Sequence, residues 1–108
     1  MVYEKSVWVK ILEFNDKYFP NWRTTEPIYY SNALAGEAGE VCNAIKHMIG
    51  GGTNRLSADL AREKAVAECV DVTIYRTLLL ERLGVDEASF DVWFERILAR
   101  LRERMEIA

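Results

Sequence analysis

The chain has 108 residues, of which 50% are hydrophobic and 29% charged, with six Gly and two Pro. That profile predicts one soluble globular domain over residues 1–108 with a modest core, and the chain contains no low-complexity segment. A formal charge of −3 excludes the basic field that polymeric nucleic acid demands, and no run approaches the roughly 20 apolar residues of a membrane span.

The opening "MVYEKSVWVKILEF" is interrupted by acids and followed by no small-residue cleavage site, so no export signal is expected and the predicted compartment is the cytoplasm. Cys42 and Cys69 stand in apolar contexts and are expected to be small buried residues, not a disulfide. A first helix is predicted over about residues 3–18, with Val7, Ile11, Phe14 and Tyr18 on one face. Pro20 and Pro27 bracket an irregular connection, "PNWRTTEP". A second helix is predicted from Ser31 or Asn32, both good N-caps, to Met48, and the glycines at 50–52 break the chain after it. Ser57 is the expected cap of a third helix that ends near Leu83, with Gly84 as its stop. Asp86 or Ser89 starts a fourth, whose expected buried stripe is Phe90, Phe94, Ile97, Leu101 and Met105. No segment alternates with period two. Four helices with short connections predict an all-α four-helix bundle.

Two helices carry acids where the apolar stripe requires hydrophobes. The third reads Ala61, Ala65, position 68, Val72, Tyr75, Leu79, in steps of three and four. Position 68 is Glu, and Asp71 lies one turn on. The second reads Leu34, position 37, Val41, Ala44, Met48. Position 37 is Glu, with Glu40 one turn on. Acids are common on helices, and Glu37 and Glu40 also suit a helix N-terminus. Two inward pairs on neighbouring helices, however, repel one another unless protonated or neutralised. A hard divalent cation neutralises them, and Mg²⁺ prefers carboxylates with water and phosphates; Mn²⁺ is the alternative. One His and no Cys pair at zinc spacing argue against zinc. Gly36 and Gly39 flank the acids and open the backbone to a neighbouring helix or a ligand, or simply loosen the packing.

"LAGEAGEVCNAIK" followed by "EKAVAECVDVTIY" resembles the all-α nucleoside triphosphate pyrophosphohydrolases, the MazG-like superfamily that includes dimeric dUTPases and all-α dCTP pyrophosphatases. The family pattern is E-x-x-E, an interval, then E-x-x-D, here Glu37, Glu40, 27 intervening residues, Glu68 and Asp71. Tyr75, four residues after the Asp, matches as well, and the likeness covers about residues 14–86. It implies Mg²⁺ held by these four carboxylates and hydrolysis of a nucleoside triphosphate between the α- and β-phosphates, giving the monophosphate and pyrophosphate. It also implies a homodimer or homotetramer with the site near a subunit interface. Among the four acids, Glu40 is the favoured general base.

Substrate contacts follow from the same reading. Lys46 and Lys64 are candidates for the phosphates, or pair with nearby acids. In many relatives the last helix supplies a Lys and an Asn, whereas this chain reads "FDVWFERILARLRER", leaving Arg96 or Arg100 as substitutes. His47, where related dCTP pyrophosphatases carry Trp, is a candidate base contact or a helix C-cap. Trp22 is a second stacking candidate, and Asn43 faces sideways between the acids and His47. A di-iron bundle would need Glu-x-x-His, which His47 does not form. The remaining alternative is a non-catalytic helical module that binds metal or a protein partner.

Overall fold

The computed structural model describes residues 4–49 and 58–107. Within them the chain forms α1 (Val7–Tyr18), a 3₁₀ turn (Pro20–Thr24), α2 (Pro27–Met48), α3 (Ala58–Arg82) and α4 (Glu87–Ile107), and no strand. The expected Gly50–Gly52 break and the Ser57 cap lie outside the described residues.

The helix ends have local causes. Ser6 caps α1 by accepting from the Val9 amide at 3.1 Å, so α1 starts at Val7. Helix α2 starts at Pro27, four residues before the predicted Ser31. Proline is at home in a first turn, where its missing N–H is not needed. Gly84 ends α3 in the left-handed region at φ +81°, and the Val85 amide donates back to the Leu80 carbonyl at 2.9 Å, closing the helix as a glycine stop does. Asp86 and Ser89 cap α4 reciprocally: the Ser89 amide donates to Asp86 Oδ1 at 2.8 Å and the Asp86 amide to Ser89 Oγ at 3.2 Å.

Helices α2 and α3 make the most extensive contact of the fold. They run antiparallel, since Arg82 Nε at the end of α3 donates to the Thr25 carbonyl just before α2, at 2.8 Å. Helix α1 packs on α3. Ile11, Trp22, Tyr30 and Leu78 form the central cluster, flanked by Leu12, Ile74, Tyr75 and Leu79. Trp22 is pinned there by its neighbours. Its Nε1 donates to Asp16 at 2.8 Å, Arg23 grips the same carboxylate with two bonds of 2.8 Å, and the Arg23 guanidinium sits 4.5 Å from the Trp22 ring centre.

Three expectations about burial fail. Helix α4 touches the rest of the chain through its first turn: Glu87 accepts from Ser6 Oγ at 2.9 Å, Trp8 meets Phe90 at 5.6 Å, and Arg76 lies over Phe90 at 5.0 Å. Beyond Phe90 the expected stripe is exposed, with Phe94 at 50%, Leu101 at 47% and Met105 at 76%. The period is right, but among the described residues no surface of the same chain covers it. On α1, Val7, Phe14 and Tyr18 are exposed as well, and the buried face is Trp8, Ile11 and Asn15. Cys42 and Cys69 are both exposed free thiols, because each sits beside its helix's packed stripe and not on it.

Candidate metal centre

Helices α2 and α3 meet where their stripes carry acids. Carboxylate oxygens of Glu37, Glu68 and Asp71 all lie within 4.8 Å of one another, and the three side chains are half-buried. Steps of three and four along each helix bring them together, with Ala44, Ala61 and Ala65 buried on the same two helices. Ala is small enough to let the two backbones approach.

The electrostatics are those of crowded like charges. The Glu37 carboxyl is raised above its ordinary 4.5, first because Glu68 shares a hydrogen bond with it, then through partial desolvation and the charges of Glu68, Asp71 and Glu40. No cation contributes to that balance. The raised Glu37 carboxyl is what crowded like charges produce, since they disfavour the ionised form. The Tyr75 phenol is also pushed up, chiefly by burial and then by Tyr29, Glu37 and Asp71, so it stays a neutral hydrogen-bond donor beside the acids.

The donor set is chemically uniform. All three groups are hard carboxylate oxygens, and neither His nor Cys belongs to the group. That suits Mg²⁺ or Mn²⁺ and not zinc. Exposed acids often cluster without a cation, so the fit rests on the convergence of two helices on one point.

The other predicted residues divide into three sets. Glu40 lies one turn beyond Glu37, exposed, and close enough to act on the Glu37 charge, but outside the trio. Tyr75 and Trp22 line an apolar cavity of about 760 Å³ that also takes in Asp71. Trp22 is 3% exposed, so it offers this cavity part of its surface while its body belongs to the core. Asn43, Lys46, His47, Lys64 and Arg96 are exposed and do not line the cavity, His47 is no part of the acid group, and among the described residues Lys46, Lys64 and Arg96 form no ion pair with the acids. Arg96 instead lies over Trp93 on its own helix, 5.0 Å from the ring centre. Gly36 and Gly39 face open space: a Cβ on either would meet nothing within 4 Å. Among the described residues, no helix uses the approach they permit.

Sequence reading missed the cavity wall. Phe14, Tyr18, Phe19 and Tyr29 line it with Asn15 behind them, and Asn15 is 7% exposed. The signal was of the kind that exposed Glu68. Trp8, Ile11 and position 15 step by three and four, so a polar residue sits on a core stripe.

No family model, no curated protein and no solved structure matches this chain.

Proposed function

We propose that the protein is a Mg²⁺-dependent nucleotide pyrophosphohydrolase of the MazG-like kind, cleaving a ribo- or deoxyribonucleoside triphosphate to the monophosphate and pyrophosphate. The observation that carries this reading is the meeting of Glu37, Glu68 and Asp71 from two helices, half-buried and within 4.8 Å of one another, with Glu37 raised by the acids around it. Bound there, Mg²⁺ supplies neutralisation of phosphate charge and a lowered pKa for coordinated water. The chain's own residues do the rest. Glu37, Glu68 and Asp71 hold the cation. Glu40, free of the trio and one turn away, takes the proton of the attacking water. Oxygen from that water bonds to the α-phosphorus, the bond from the α-phosphorus to the bridging oxygen breaks, and pyrophosphate leaves with that oxygen. Tyr75, kept neutral, donates a hydrogen bond at the junction of acids and cavity.

Assembly belongs to the same reading. The apolar stripe of α4 and the open backbone at Gly36 and Gly39 are surfaces that a second copy covers, completing the bundle in a homodimer or homotetramer. Such packing also brings in arginines, Arg96 and Arg100 among them, to hold the leaving pyrophosphate. No described helix is long and apolar enough to cross a membrane; we place the reaction in the cytoplasm, where its substrates are made.

The second reading is a non-catalytic helical module that binds metal or a protein partner. It is favoured by the causes that raise the Glu37 carboxyl, which include no lysine or arginine. Pyrophosphate release from a panel of ribo- and deoxynucleoside triphosphates with Mg²⁺ separates the two. The enzyme reading expects turnover of at least one, lowered by Glu68→Gln on the order of 100-fold or more, as when one transition-state charge stabiliser is lost. No product from any substrate favours the module.

A further inference from the structure

Helix α4 is held at its first turn, where Glu87 accepts from Ser6 and Phe90 meets Trp8. Beyond that turn it runs on to Ile107 with Phe94, Ile97, Leu101 and Met105 exposed, and Trp93 exposed beside them. Helices of this kind draw most of their stability from packing an apolar face. Among the described residues, nothing in the chain covers this one. Monomeric proteins rarely leave so continuous an apolar stripe in water, and its width suits another helix laid along it.

The stripe is nearly symmetric end to end. Phe90, Phe94, Ile97, Leu101 and Met105 follow one another in steps of 4, 3, 4 and 4. A second copy of α4 laid alongside and reversed therefore sets the partner's Met105 against Phe90 and the partner's Leu101 against Phe94, with Ile97 of both copies at the centre. Each outer layer then pairs an aromatic ring with an aliphatic side chain. Charge decides the direction. Residues 87–95 carry Glu87, Asp91 and Glu95 and no base, while residues 96–107 carry Arg96, Arg100, Arg102 and Arg104 against Glu103 and Glu106. Running in the same direction, two copies would set acids against acids and arginines against arginines. Reversed, the acidic half of each faces the arginine-rich half of the other. Asp91 and Arg102 are about three turns apart, which puts them on one flank of the stripe, so the reversed pair makes the contact between them twice.

We infer that two copies of this chain associate through α4, antiparallel about a twofold axis beside Ile97. Both copies use the same patch, so the contact closes on a pair and leaves no stripe open to a third chain. Like-charge repulsion rejects the parallel pair, as charges flanking an apolar seam set the orientation of packed helices. Hydrophobic contact along the stripe supplies the affinity, and the flanking charges supply direction and register. This pairing gives the proposed homo-oligomer its contact face and rests on that reading; the acid trio and the nucleotide have no part in it.

Orientation is read by cysteine cross-linking under mild oxidation, without nucleotide or Mg²⁺. Cys42 and Cys69 are exposed thiols, so both are first changed to Ser. In that background Ile97→Cys is expected to cross-link with itself, since its two copies lie beside the axis. Met105→Cys is not: eight residues from Ile97, its copies stand more than about 20 Å apart along the helices, and a disulfide spans about 4.4–6.8 Å between Cα atoms. Phe94→Cys and Leu101→Cys are expected to cross-link with each other when the two variants are mixed. Self-cross-linking of Met105→Cys marks a parallel pair and overturns the inference. An oligomer by light scattering with no cross-link at Ile97 uses another face, which overturns the inference and leaves the homo-oligomer standing; a monomeric wild type overturns both. Charge exchange gives a second reading that leaves the stripe untouched. At low salt, Arg102→Glu is expected to raise the dissociation constant of the pair about tenfold, and Asp91→Arg added to it to restore the wild-type value within about threefold. No loss, or loss without recovery, overturns the antiparallel orientation. If no triphosphate is hydrolysed while this pattern holds, the enzyme reading fails and the pairing stands.

Discussion

At the scale of single residues, the molecule is organised around polar groups on apolar stripes. Glu37 is the most informative. Its carboxyl titrates at the ordinary value in the unfolded chain and above it in the fold. Between those two values the native state binds the extra proton, so the stability this group contributes is present at acidic pH and lost as pH rises through the raised value. Metal-free Glu37→Gln is therefore expected to melt above the wild type at neutral pH, and the difference to vanish below about pH 4, near the unfolded value. Added Mg²⁺ raises the melting temperature of the wild type and leaves that of Glu37→Gln unchanged, since only a cation bound to the native state shifts the balance. Thermal melts across pH with EDTA or Mg²⁺ check both statements. Glu37, Glu68 and Asp71 were legible in the sequence because a carboxylate on a helical stripe breaks a periodic pattern. Asn15 broke the same pattern and was passed over, because the exposed Phe14 and Tyr18 drew the stripe one position away from the true buried face.

At the scale of elements, start and stop chemistry explains most of what was readable. Gly84 and Asp86 act as stop and cap at the expected places. Replacing Asp86 with Ala removes the acceptor for the Ser89 amide and is expected to destabilise the fold by about 1 kcal/mol, measured by urea unfolding. The start of α2 was misplaced because Ser31 is a good cap by type, yet its hydroxyl donates to the Ile28 carbonyl inside a helix already begun at Pro27. Gly36 makes a sharper case. Within the chain it has neither positive φ nor a close neighbour, so Gly36→Ala is expected to stabilise the metal-free fold by about 0.5–1 kcal/mol. If α2 meets a second copy there, the same methyl group weakens assembly while strengthening the protomer. Urea unfolding beside light scattering separates the two effects.

At the scale of the whole molecule, the single chain leaves much of its apolar surface uncovered. Its radius of gyration is 17.4 Å, against about 13 Å for a compact chain of this length. Helix α4 extends from its Phe90 anchorage with Phe94, Ile97 and Leu101 exposed. The sequence announced that stripe correctly by period and could not say what covers it, since periodicity marks an apolar face and not its partner. On the proposed assembly, Leu101→Asp is expected to give a monomer without loss of helicity, because the side chain is half-exposed in the single chain; mass by light scattering with circular dichroism reads both. The account as a whole stands on cation binding by the acids where α2 meets α3. Calorimetric titration of Mg²⁺ into the metal-free protein tests it most directly. Saturable binding that releases protons at mildly acidic pH and disappears in Glu68→Gln is the predicted result. Absence of binding, or equal binding by wild type and Glu68→Gln, would contradict it.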